Sequence, residues 1–170
     1  MKKFQIFFVL FFIASCSSAN DGYTFRSYTH EEFDYVKEAH TFLGYDEKRE
    51  RREIRDLTGI DPVRTEWCAA FVNAILKIQG VPGSESVSDY PLTARSFLKW
   101  GEEVDQPRIG DIVVFPRGNS SWQGHVGFYI ETRTIRDIDY YVILGGNQND
   151  SVSYDLYPAY KALSIRRTQS

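Results

Sequence analysis

Helical spacing of apolar residues stops near Gly101, and runs rich in β-branched and aromatic residues follow it. Apolar residues that recur every three or four positions predict helices, whereas alternating or short continuous apolar runs predict strands. The helical patterns cover residues 31–43, 46–57, 66–79 and 92–100, and the strand patterns cover 111–116, 125–131, 140–145 and 163–168. Because the helices precede one run of strands, the order favours an α+β fold with a mostly antiparallel sheet.

The composition excludes several classes of protein. The chain has 170 residues, of which 42% are hydrophobic and 25% charged, which is ordinary for one globular domain. A net charge of −3 argues against a nucleic-acid binder that works by neutralising phosphates. Only two cysteines are present, so a small domain held together by disulfides is excluded.

The N-terminal residues have the pattern of an export signal. Lys2 and Lys3 precede an apolar run over residues 4–13. That run is shorter than the roughly 20 residues that a membrane-spanning helix needs. We therefore expect residues 1–15 to be a signal peptide.

The end of this signal resembles a bacterial lipobox, in which cleavage precedes a cysteine that receives lipid. Residues 13–16 read IASC, which makes Cys16 the lipidation candidate. The short polar stretch 16–30 would then be a tether, and residues 31–170 a single domain. Since Ser17 is not acidic, we expect the outer membrane, facing the periplasm, rather than retention at the inner one. The alternative is an ordinary signal peptide with an incidental cysteine.

Cys68 is the candidate nucleophile. With Cys16 lipidated, it has no disulfide partner in the chain. It lies in the first turn of the predicted helix 66–79, which Thr65 can cap, and a helix start lowers the pKa of a thiol. The alternative is that Cys68 is a small buried packing residue.

A histidine and an asparagine can complete a thiol-based site. His125 shares one face of its predicted strand with Gly127 and Tyr129, and a helix packed on that face would bring thiol and imidazole together. The orienting residue is expected at the end of the next strand, over residues 145–150. Asn147 could accept the imidazole N–H and fix its tautomer, and Gln148, Asn149 and Asp150 are the alternatives. Each residue also has an ordinary alternative, since a strand histidine is commonly structural and an asparagine after Gly-Gly is commonly a turn residue.

Trp67, next to the candidate nucleophile, is a candidate for contact with substrate. Trp67 and Trp122 also suit a core or a rim. Backbone N–H groups near Trp67 and Cys68 could stabilise a developing oxyanion. No Cys/His cluster has the spacing of a zinc site, so no metal is expected.

Five segments together resemble one family, the CHAP and NlpC-type cysteine peptidases and amidases of bacterial cell walls. In chain order they are residues 67–73 (WCAAFVN), 94–101 (ARSFLKWG), 110–115 (GDIVVF), 124–129 (GHVGFY) and 144–148 (LGGNQ). The resemblance covers roughly residues 54–168. It implies a papain-like α+β fold in which the nucleophile helix packs on the sheet.

The same resemblance implies an activity. Cys68 would be the nucleophile, His125 the general base and acid, and Asn147 the orienting residue. The reaction would be hydrolysis of an amide bond in peptidoglycan through a thioester, with no metal or organic cofactor. One departure concerns the third role, because some CHAP enzymes have a glutamate two residues before the asparagine, where this chain has Gly145.

Two other functions are compatible with this sequence. One is a non-catalytic module of the same fold that binds peptidoglycan or a protein. The other is an acyltransferase or transpeptidase, in which an amine replaces water as the acceptor. The sequence does not distinguish an amidase from an endopeptidase.

Overall fold

The computed structural model describes residues 34–168 of the protein. Its elements are helices α1 (Asp34–His40), α2 (Arg51–Thr58) and α3 (Cys68–Ile78) and strands β1 (Glu102–Glu103), β2 (Ile112–Pro116), β3 (Gly124–Ile135), β4 (Ile138–Gln148), β5 (Ser151–Pro158) and β6 (Ser164–Arg167). Short 3₁₀ segments occupy Ser84–Ser86, Ala94–Lys99 and Ala159–Lys161. The predicted signal peptide 1–15, Cys16 and the tether 16–30 lie outside the described residues.

The strands form one sheet in the order β1-β6-β2-β3-β4-β5, and neighbouring strands pair antiparallel. All three α-helices precede all of these strands in the chain. The predicted α+β class with an antiparallel sheet is therefore confirmed. Within residues 34–168, no helix combines the length and the hydrophobicity needed to cross a bilayer.

The sheet is larger than the sequence patterns predicted. Strands β3 and β4 extend to a tight turn at Arg136 and Asp137, and β4 is joined to the unpredicted strand β5 by a turn at Asn149 and Asp150. All four turn residues have positive φ, as two-residue hairpin turns require. The predicted helix over 92–100 is a 3₁₀ segment over Ala94–Lys99.

Helix α3 packs on the face of the sheet opposite to the one we expected. Cys68 and Phe71 share a core cluster with Val126, Phe128 and Leu144, whose side chains point away from the face of His125. The nucleophile helix therefore packs on the sheet as predicted, but not on the face of His125, which was the arrangement considered for bringing thiol and imidazole together. Cys68 begins α3 and His125 is the second residue of β3, and the thiol lies near the backbone N–H of Val126, the residue that follows His125.

The second face of the sheet carries its own aromatic cluster. The rings of Phe115 on β2 and Tyr157 on β5 stack with their centroids 4.6 Å apart. These strands are three positions apart in the sheet, which corresponds to about 14 Å in a flat sheet. The contact indicates that the sheet curls towards this face, the face that carries His125.

Candidate active site

Cys68 is the first residue of α3 and lines an open cleft of about 100 Å³. The helix begins after Trp67 rather than after Thr65, and no side chain caps it. The backbone N–H groups of Ala69 and Val126 lie near enough to the sulfur to favour its thiolate form and to lower the pKa of the thiol. Because Val126 follows His125, the thiol lies beside the histidine's own peptide group.

Burial dominates the electrostatics of the thiol. Cys68 is only 3% exposed, and burial raises the pKa of its thiol above the usual value. The backbone N–H groups of Val126 and Ala69 and the positive charge of Arg117 lower this pKa, but burial outweighs them. The expectation that the helix start would lower the pKa is therefore not met in the free protein, in which the thiol is protonated near neutral pH.

His125 is held by a hydrogen bond that also defines its basic nitrogen. Its Nε2 lies 2.9 Å from Gln148 Oε1. The amide Nε2 of Gln148 donates to the backbone carbonyls of Ile143 and Ser153, so the amide oxygen faces the imidazole. Since an amide oxygen can only accept, the imidazole carries its proton on Nε2, which leaves Nδ1 with a free lone pair. That Nδ1 is buried and has no hydrogen-bond partner within residues 34–168.

An aromatic stack fixes the plane of the imidazole. The rings of His125 and Tyr157 are 5.0 Å apart at 11°, and Phe115 also stacks on Tyr157. Burial lowers the pKa of His125 to about 4, although the bond to Gln148 acts in the opposite direction. His125 is therefore a neutral base at neutral pH, as proton transfer from a protonated thiol requires.

Asn147 is close to the site, but its side chain does not contact the histidine. Its Nδ2 donates to Glu66 Oε2 at 2.6 Å. The irregular register between Gly145 and Gln148, where Asn147 has a φ of 58°, puts one extra residue into β4. Because such a bulge shifts the alternation by one position, Gln148 and not Asn147 lies on the face of His125.

The glycine at position 145 explains why Gln148 has room there. A Cβ atom on Gly145 would lie 3.3 Å from both Gln148 Oε1 and His125 Nε2. A glutamate at this position, as in the CHAP enzymes mentioned above, would start against the imidazole. In this chain the neutral amide of Gln148 occupies that space.

Trp67 does not reach the cleft, contrary to its predicted role in binding substrate. The ring is fully buried and packs edge-on against Phe71, and a Cβ on Gly146 would collide with it. The exposed ring at the cleft is Trp122, which is 66% exposed. Its loop is held by Arg95, whose guanidinium donates to the backbone carbonyls of residues 120 and 123.

The family model of the CHAP domain matches residues 60–147, which is just over half of the chain. The chain belongs to the CHAP family. CHAP domains are in general peptidoglycan hydrolases, and they are typically cysteine-dependent amidases or peptidases. The match begins before α3 and includes Cys68, His125 and Asn147, whereas Gln148 lies one residue beyond it. A search of curated proteins finds no match.

Proposed function

We propose that this CHAP domain hydrolyses an amide bond of peptidoglycan, with Cys68 as nucleophile, His125 as base and acid, and Gln148 as the residue that orients the imidazole. The observation that carries the proposal is the bond between His125 Nε2 and Gln148 Oε1. It leaves Nδ1 unprotonated at the start of β3, where the sulfur of Cys68 lies near the backbone N–H of the next residue, Val126.

The proposed reaction has two steps that balance in atoms and protons. His125 Nδ1 takes the thiol proton while the sulfur bonds to the substrate carbonyl carbon. The protonated imidazole then gives that proton to the departing amine nitrogen as the C–N bond breaks, which leaves a thioester. Water attacks the thioester, His125 takes one of its protons, and the thiol is restored when the acid is released.

Digestion of purified sacculi followed by mass spectrometry of the soluble fragments tests this proposal. An amidase releases free stem peptides. An endopeptidase shortens or uncrosslinks stems that stay on the glycan, so a muramidase digest of the treated sacculi is needed to release the disaccharides that carry them. Exchanged or newly crosslinked stems would instead indicate an acyltransferase or transpeptidase. A wild-type protein that binds sacculi and cleaves nothing would favour a non-catalytic module.

Alkylation of the thiol separates an active site from a buried packing cysteine. Since Cys68 is nearly buried and its pKa is raised, the informative quantity is the dependence of the rate on His125 rather than the absolute rate. We expect iodoacetamide to modify wild-type Cys68 several times faster than the same thiol in His125→Ala near neutral pH. Equal rates in the two proteins would contradict the role of His125 as base.

The role of orienting the imidazole can be tested by comparing variants of two neighbouring residues. Gln148→Leu removes the acceptor for the imidazole N–H, and we expect kcat on sacculi to fall about 10- to 100-fold. Gln148→Glu keeps an acceptor in place, and it should retain more activity and raise the pKa of His125. Asn147→Ala leaves that bond intact and should have a smaller effect. A larger loss in Asn147→Ala than in Gln148→Leu would return the orienting role to Asn147.

We also propose that the protein is a lipoprotein of the cell envelope, anchored through Cys16 in the outer membrane, with its domain facing the periplasm. The support is the IASC segment at residues 13–16 and the non-acidic Ser17. Cys16→Ser should move the protein from the membrane fraction to the soluble periplasmic fraction, because acyl chains supply the membrane affinity. Density-gradient separation of the two membranes gives the location, and sedimentation of Cys16→Ser with membranes would contradict lipid anchoring.

A further inference from the structure

Arg117 is the positively charged residue that lines the cleft beside Cys68. It follows the last residue of β2 and begins the loop that Arg95 holds in place. Its side chain is 42% exposed. Glu66 is the one other charged residue of this lining. The uncharged lining residues besides Cys68 are Leu92, Thr93, Ala94, Trp122, Gln123 and Gly124.

The pairing of Arg117 with Glu66 leaves most of its hydrogen-bonding capacity unused. A guanidinium has five N–H donors in a planar fork. Within residues 34–168, Nη1 donates to Glu66 Oε2, and this is the hydrogen bond that the side chain makes. The same oxygen also accepts from Asn147. Glu66 is 71% exposed, and exposed ion pairs of this kind contribute little to stability, so a second carboxylate can share or replace this contact.

We propose that Arg117 binds a free carboxylate of the peptidoglycan stem peptide next to the amide that Cys68 attacks. The inference rests on the proposed function and names the form of its substrate: the free acid is preferred over the carboxamide at that position. The planar fork of arginine matches a carboxylate with two parallel hydrogen bonds. A carboxamide presents one oxygen and no charge, so it loses both the second acceptor and the attraction.

Binding to an inactive variant tests this recognition independently of catalysis. The probes are synthetic muramoyl peptides in which each stem carboxylate is converted in turn to the carboxamide. Calorimetry with Cys68→Ala should show that one of these amidated peptides binds at least about tenfold more weakly than the peptide that keeps all its carboxylates. In Cys68→Ala/Arg117→Gln the acid and amide forms should bind equally. Equal binding of all forms to Cys68→Ala would overturn the proposal.

Two further variants distinguish recognition from a general change of charge. Arg52→Gln removes the same charge from an exposed side chain on α2, and it should leave the acid-to-amide ratio unchanged. Glu66→Gln removes the competing carboxylate, and it should tighten binding of the acid form. Loss of the preference in Arg52→Gln, or weaker acid binding in Glu66→Gln, would contradict a specific contact with Arg117.

Kinetics with the active protein complete the test. The ratio of kcat/KM between acid and amide peptides should be about ten or more in the wild type and close to one in Arg117→Gln. If the wild type hydrolyses neither peptide while Cys68→Ala still prefers the acid, the proposed function fails and the recognition stands. If the wild type hydrolyses both equally, the recognition fails and the proposed function stands.

Discussion

Sacculi incubated with Cys68→Ala should release no fragments above background, a loss of at least about a thousandfold relative to wild type. The physical reason is that the proposed reaction has no other nucleophile, since the sulfur forms the bond to the carbonyl carbon. The measurement is the yield with time, at equal protein concentration, of free stem peptides or, after a muramidase digest, of muropeptides with cleaved stems. Retention of full activity would remove the thioester mechanism.

The control for this variant is its fold. Cys68 is buried, but alanine keeps the helix start and removes only the sulfur. The cost of the lost packing is about 1 kcal/mol, which is a small part of the stability of a typical domain. Far-UV circular dichroism and the thermal midpoint of Cys68→Ala should therefore remain close to those of the wild type. Cys68→Ser tests the same point with a side chain of similar shape and a much weaker nucleophile.

The class of the fold could be predicted from sequence because each element carries a local pattern. The apolar stripe of 66–79 produced α3, and the apolar run of 111–116 produced β2. Strand β5 was missed although Val152, Tyr154 and Leu156 alternate with polar residues, because Asn149 and Asp150 before it were considered as candidates for the site and not as a turn. Their positive φ shows that they form the hairpin turn that starts β5.

The site was only partly predictable, and the missing parts depend on tertiary geometry. Cys68 and His125 could be proposed from motifs, but the choice between Asn147 and Gln148 depends on a bulge in β4 that shifts the alternation by one residue. The face on which α3 packs, and with it the burial of Trp67, depends on tertiary packing that no local pattern specifies. In the sequence, Gly145 in place of an acid left the orienting role to Asn147, and only the structure shows the amide of Gln148 in the space beside Gly145.

The neutral amide at this position has a consequence for the charge of the site. A carboxylate beside His125 would stabilise the imidazolium and raise its pKa, whereas the amide of Gln148 supplies only a hydrogen bond. Burial therefore dominates and lowers the pKa of His125 to about 4. The imidazole remains able to accept the thiol proton in moderately acid solution, where a histidine of ordinary pKa is already charged.

The same shift predicts a loss of stability in acid that belongs to His125. The histidine binds a proton near pH 6.5 in the unfolded chain but only near pH 4 in the folded one. The contribution of the neutral histidine to the free energy of unfolding is fully present above pH 6.5. It declines as the pH falls from 6.5 towards 4, because the unfolded state then binds the proton more strongly. The total is about 3 kcal/mol. Urea unfolding at pH 7, 6, 5 and 4.5 measures the decline.

His125→Gln is the matched variant, since it keeps a polar side chain of similar size and cannot titrate. Hydrogen bonds lower the carboxyl pKa values of Asp46 and Asp61. The loss of their contributions to the free energy of unfolding in acid is the same in both proteins, so it cancels in the comparison. The difference in unfolding free energy between wild type and His125→Gln should therefore shrink, or reverse in sign, as the pH falls. If the unfolding free energies of the two proteins change with pH in parallel, then His125 has the same pKa in the folded and the unfolded state. That result would contradict the argument that His125 is a buried neutral base.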